Sequence, residues 1–179
     1  PPQVAIVPAG GGEPVMVTEE KLGVSGFAFS DDGHRIAFTA RVPEAGRYGT
    51  VDGVGPEAED PRLIDTLQFE FNGVGYTGDQ RSHLFVVDVP DPHGEPPVRP
   101  VGRAAAGSDG FRAVPEARRL SRGDHDHLCR TWDGDGIVVM ASRHEDADED
   151  LRADLYRFGL DGGEPVRLTD SAAGDSVLG

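Results

Sequence analysis

Residues 27–41 read FAFSDDGHRIAFTAR. Phe27 and Phe29 alternate with Ala28 and Ser30, the period-two pattern of a strand with one buried face. Ser30-Asp31-Asp32-Gly33 supplies short acceptor side chains and then a glycine that accepts positive φ, the chemistry of a tight turn. Ile36, Ala37 and Phe38 resume the apolar run, so a strand–turn–strand hairpin is expected. A related hairpin returns at residues 130–143, RTWDGDGIVVMASR. Arg41 aligns with Arg143 at an offset of 102 (143 − 41), and Phe29 with Trp132 at 103 (132 − 29). The second turn is therefore expected to be one residue shorter.

A second hairpin type alternates with the first. Val4–Val7 is a short apolar run, Gly10–Glu13 a turn, and Pro14–Thr18 a return strand. The same unit recurs as Leu155–Phe158, Asp161–Glu164 and Pro165–Thr169, sharing Gly-Gly-Glu-Pro-Val at Gly11–Val15 and Gly162–Val166. A looser copy runs from Leu84–Val89 through Asp91–Glu95 to a return strand at Pro97–Val101. Ala117–Ser121 competes with that return strand for the same place. Naming the first type a-b and the second c-d, the chain reads c-d, a-b, c-d, a-b, c-d. Each a-b-c-d group is a four-stranded antiparallel meander, and repeated meanders are the blades of a β-propeller. The expected fold is all-β: a partial propeller with about two full blades and a flanking hairpin. Blade boundaries fall near 1–20, 23–121 and 124–170, strands at Phe27–Phe29 and Arg130–Trp132 should be innermost, and Asp175–Gly179 should lead into another strand a.

Two segments interrupt the repeat. Val42–Ser82 is a long b–c connection, rich in Gly, Pro and acids from Gly46 to Pro61 and then alternating at Leu67–Phe71. A structureless loop of that length is uncommon, so an extra hairpin is expected within it. Gly102–Glu116 is the other interruption.

Composition narrows the function. The 179 residues hold 37% hydrophobic side chains, and 25 Gly with 14 Pro favour many short elements over long helices. A net charge of −15 argues against nucleic acid or an anionic membrane as partner. Cys129, the sole cysteine, excludes an internal disulfide and reads as a small buried filler. No apolar run approaches a membrane span, and a cytoplasmic location is the expectation.

At this point particular residues resemble a known family. Trp132–Gly136, Ala141–Asp146, Asp154–Tyr156 and Glu164–Thr169 resemble the propeller repeats of the prolyl oligopeptidase family of serine peptidases. The branch they resemble holds bacterial dipeptidyl aminopeptidases and acylaminoacyl-peptidases, and Gly73–Asp79 with Arg81–Asp88 is similar to a segment of it. TolB-like propellers share the repeat. The family turn Ser-Pro-Asp-Gly has Asp31 in place of proline here. The resemblance implies a propeller that gates and selects short peptides for an α/β-hydrolase domain of the same parent chain. The alternative it leaves is a TolB-like propeller that binds protein without peptidase activity.

Candidate chemistry within the 179 residues is sparse, and no cofactor is expected. Gly23-Val24-Ser25-Gly26 is one residue short of a nucleophile elbow and precedes a strand, so no catalytic triad is assigned. Gly174–Leu178 and Asp124–His127 carry Gly-Asp-Ser-Leu and Asp-x-x-His patterns, but in reverse order to the lipases that use them. Asp124-His125-Asp126-His127 lacks a third ligand at defined spacing and reads as a solvated turn, with no metal expected. Asp146, Asp148 and Asp150 lack the glycine and glutamate of a calcium loop. The block 145–154 carries six carboxylates against one Arg and reads as an exposed acidic b–c loop, with an electrostatic lip over a substrate channel as the functional alternative. In the dipeptidyl-peptidase relatives a propeller carboxylate receives the substrate ammonium. Arg143, His144, Glu145 and Asp146 are the substrate-binding candidates on that basis.

Overall fold

The computed structural model describes residues 1–95, 97, 98, 101, 103 and 111–171. The expectations for residues 99, 100, 102, 104–110 and 172–179, and for the Cys129 side chain, lie outside the described set. The described chain is all-β and antiparallel, with one 3₁₀ turn at Pro56–Ala58. Among the described residues no helix is long and apolar enough to cross a membrane.

Strands β1 (Ala5–Ile6) and β2 (Val15–Met16) form a hairpin. A four-stranded sheet follows, ordered β3 (Val24–Phe29), β4 (Arg35–Pro43), β7 (Gln80–Asp88) and β8 (Arg118–Arg119). A second is ordered β9 (His127–Asp133), β10 (Gly136–Ala141), β11 (Asp154–Gly159) and β12 (Val166–Arg167). The long β4–β7 connection carries a small hairpin, β5 (Glu70–Phe71) with β6 (Gly75–Tyr76), as its length required.

Two apolar layers hold these pieces together. Val4 and Val17 of the first hairpin pack with Ile36, Phe38, Ala40, Phe85 and Val87, where Phe38 stacks on Phe85 at 5.2 Å. On the opposite side of the first sheet, Ala37, Leu84, Val86 and Leu120 meet Ile137, Val139, Ala141, Tyr156 and Phe158 of the second. Because both its faces are covered, β4 is buried without interruption from Ile36 to Ala40. Each large side chain so buried contributes about 1.5–3 kcal/mol.

A short motif repeats where strand c meets the end of strand d. Val4 N–H donates to the Thr18 hydroxyl at 2.8 Å, Leu84 N–H to Ser121 at 2.8 Å, and Leu155 N–H to Thr169 at 2.9 Å. In return Val17, Leu120 and Leu168 N–H each donate to the carbonyl of the same c residue at 2.8 Å. The partners are 14, 37 and 14 residues apart in sequence. This settles the competition for the first sheet's return strand. Ala117–Ser121 places a hydroxyl where the latch needs one, and β8 pairs with β7 there.

Two expectations are corrected. Phe29 pairs with Ile36, and Trp132 with Ile137, so six residues separate the first pair and four the second. The second turn is thus two residues shorter, and Arg143 is not the counterpart of Arg41. Arg41 binds Asp126, whereas Arg143 approaches His127 and lies over Tyr156. The second correction concerns Asp124–His127. Only Asp124 has the exposed position of a solvated turn; Asp126 accepts Ser82 N–H at 2.6 Å, and His127 is fully buried at the start of β9.

Candidate functional site

The β4–β7, β8–β9 and β10–β11 connections all leave their sheets at the same end, as alternate turns of a meander must. They meet there. Arg41 of β4 reaches Asp126, and Arg81 of β7 reaches Asp124 at 2.5 Å. One cleft at this end is about 300 Å³ and is lined by Ile64, Phe69, Tyr76, Arg81 and Asp124 among others. A neighbouring hollow of about 350 Å³ shares Asp79, Arg81 and Asp124 and extends to His83 and Arg119.

Asp79 anchors the cleft. It accepts Arg62 Nε at 2.6 Å on one oxygen and the Tyr48 hydroxyl at 2.9 Å on the other. Arg47 lies 3.7 Å from both Asp79 and Glu59, so two guanidiniums and two carboxylates neutralise each other. The Arg62 guanidinium also covers the Tyr76 ring at 4.9 Å and the Tyr48 ring at 5.7 Å, a cation–π arrangement that stiffens the wall. Tyr48 adopts φ 52, a left-handed conformation that costs a non-glycine residue free energy. Its N–H to Glu59, its hydroxyl to Asp79 and the Gln80 amide donating to that hydroxyl offset the strain. Burial first, and then Asp79, pushes the Tyr48 phenol up, so it stays a neutral donor.

The four candidates from the acidic loop divide. Arg143 turns inward to His127. His144 is largely buried and bonds Asp150 at 2.9 Å. Glu145 and Asp146 are exposed. The loop as a whole is less solvated than expected. Asp148 accepts Leu67 N–H at 2.8 Å and Gln68 N–H at 2.7 Å, and the Gln68 amide donates to the Ala147 carbonyl at 2.8 Å. Those amides hold the Asp148 carboxyl below the usual range. Asp154 is buried, and although burial opposes it, Ser171, Thr169 and Arg167 hold its acid at about 2. The acidic loop therefore clasps the long connection, and Glu145, Asp146 and Glu149 are its free carboxylates.

One serine–histidine contact has the spacing of a catalytic pair. Ser121 Oγ lies 3.1 Å from His83 Nδ1, within reach for a nucleophile and its base. Arg119 donates to His83 Nε2, which leaves the proton on Nδ1 and aims it at Ser121. A nitrogen that already carries a proton cannot take one, and Ser121 is fully buried with its oxygen also bonded to Leu84 N–H. The pair is structural. Among the described residues, no group of three or more His, Cys, Asp or Glu could hold a metal ion.

Sequence reasoning named Asp124 only within the Asp-His-Asp-His metal candidate and the Asp-x-x-His pattern, and missed Arg62 and Tyr76 as cleft-lining residues. The signal was present in Gly73–Asp79, which brings Tyr76 and Asp79 to the mouth of β7. Compared with known proteins, the chain matches no family model and no curated protein.

Proposed function

We propose that this chain is the non-catalytic β-propeller portion of a serine peptidase of the prolyl oligopeptidase family, where it selects short peptides for an α/β-hydrolase domain of the same parent chain. The observation that carries the reading is the strand order: a hairpin and two four-stranded antiparallel meanders, packed face to face in sequence. Two further facts support it. β3 and β9 are the edge strands of their sheets and lie side by side, with Trp132 Nε1 donating to the Ala28 carbonyl at 3.0 Å, as innermost strands of neighbouring blades would. The cleft-bearing connections gather at one end, and a cleft of about 300 Å³ is at the small end of ligand pockets, suited to a side chain or two rather than a folded substrate.

The TolB-like reading has its own support in Leu63, Leu67 and Phe71, exposed on the long connection where a protein could cover them. The full-length gene product decides between them. A peptidase hydrolyses aminoacyl or acylaminoacyl p-nitroanilides and short peptides, spares large unfolded proteins, and is stopped by serine-directed inhibitors. A product that cleaves none of these overturns the peptidase reading. The 179-residue chain alone should hydrolyse neither substrate above buffer.

A further inference from the structure

We propose that the far face of the second sheet docks another sheet of this same repeat, supplied in a solution of the chain by a second copy joined head to tail. The three latches make the positions equivalent: Val4, Leu84 and Leu155 on strand c, and Val17, Leu120 and Leu168 on strand d. The first two pairs are covered. Val17 packs under the first sheet at 0% exposure and Leu120 under the second at 2%, whereas Leu168 is 49% exposed. Among the described residues the interface between successive units therefore occurs twice, and its third instance is open.

The open face is built like the covered ones. Val138 and Met140 of β10 alternate with the inward Ile137, Val139 and Ala141. Leu155 pairs with Met140, and Val166 lies opposite Arg157 on the same side. The other end of the molecule offers the complementary surface. On the hairpin, Val7 and Met16 occupy the side opposite Val4 and Val17, and both are exposed. In the second sheet the corresponding side presents Tyr156 and Phe158 to the first sheet. Two unlike open ends make a heterologous contact, which adds copies in line until a ring closes. This inference does not rest on the peptidase reading, since the latches and the burial of the apolar residues beside them carry it without any assigned activity.

Sedimentation of the 179-residue chain tests it. The weight-average mass should rise with concentration from the micromolar to the near-millimolar range. The Leu155→Arg/Leu168→Arg variant should sediment as a monomer throughout, and Met16→Arg at the opposite end should weaken association equally. Val166→Asp, at a more exposed position, serves if circular dichroism shows the double variant unfolded. Leu63→Arg on the long connection should associate as the wild type does. A wild-type monomer across the range overturns the proposal, and so does association that survives the far-face variants but is abolished by Leu63→Arg.

Discussion

The imidazoles of His83 and His127 lie 5.6 Å apart on the seam between the two sheets, each with Nε2 turned to an arginine. Burial, with Arg119 beside one ring and Arg143 beside the other, pulls His83 down to about 3 and His127 to about 4. Both are neutral in the fold and titrate near 6.5 once unfolded. As pH falls, the unfolded chain takes up protons first. Stability is full above about 6.5 and is lost progressively toward 4, by about 1.4 kcal/mol per pH unit for each histidine. Urea unfolding followed across this window should show a falling midpoint, and His127→Gln should flatten the slope. A midpoint independent of pH would refute the account.

Ser121 should be the costliest hydroxyl to remove. Ser121→Ala strips the acceptor from Leu84 N–H and the partner from His83, both buried. A buried donor left unpaired costs about 1–3 kcal/mol. Thr169→Val makes the same deletion at a half-buried site open to water, so its loss should be smaller. Equal losses in chemical denaturation would mean that burial does not set the strength of the latch.

Asp148→Ala should loosen the long connection without melting the sheets. Its carboxylate receives the backbone N–H groups of Leu67 and Gln68 and touches neither core. Hydrogen exchange at those two amides should accelerate, and trypsin should cut after Arg62 sooner, while the urea midpoint stays put. A shifted midpoint with unchanged exchange would reverse the assignment.

If the proposed peptidase reading holds, Glu145→Gln with Asp146→Asn in the whole peptidase tests capture of a substrate ammonium. Loss of a charge-assisted contact should lower kcat/KM for free-amine peptides about tenfold to a hundredfold and spare N-acylated ones. If both substrate classes respond alike, the two carboxylates only solvate the loop.

Local patterning carried most of the fold into the sequence. The turn at Ser30–Gly33 and the repeated Gly-Gly-Glu-Pro-Val each act over a few residues, and the strand order followed from them, whereas Phe27 and Phe29, expected on a buried face, are each 48% exposed on β3. The site was harder to see because its partners are remote. Gln68 and Asp148 are 80 residues apart, Arg41 and Asp126 are 85, and no periodicity links them. His127 was misjudged for a related reason: a histidine that closes an Asp-His-Asp-His run looks solvated until the Ser82 carbonyl and Arg143 are brought to its two nitrogens. The turn offset failed because matching the two arginines aligned residues with different partners.

The spacing of the latches bears on how such a chain can grow. The first sheet closes over 37 residues and its neighbours over 14, yet the donor, acceptor and distance are unchanged. Loop-closure entropy rises only with the logarithm of length, so the longer detour costs about 0.9 kcal/mol more. A hydroxyl and an amide that find each other at either separation leave the path between them free to vary. The connection leaving β7 is therefore a tolerant place to splice in foreign sequence, whether by evolution adding an ornament or by an engineer inserting a reporter.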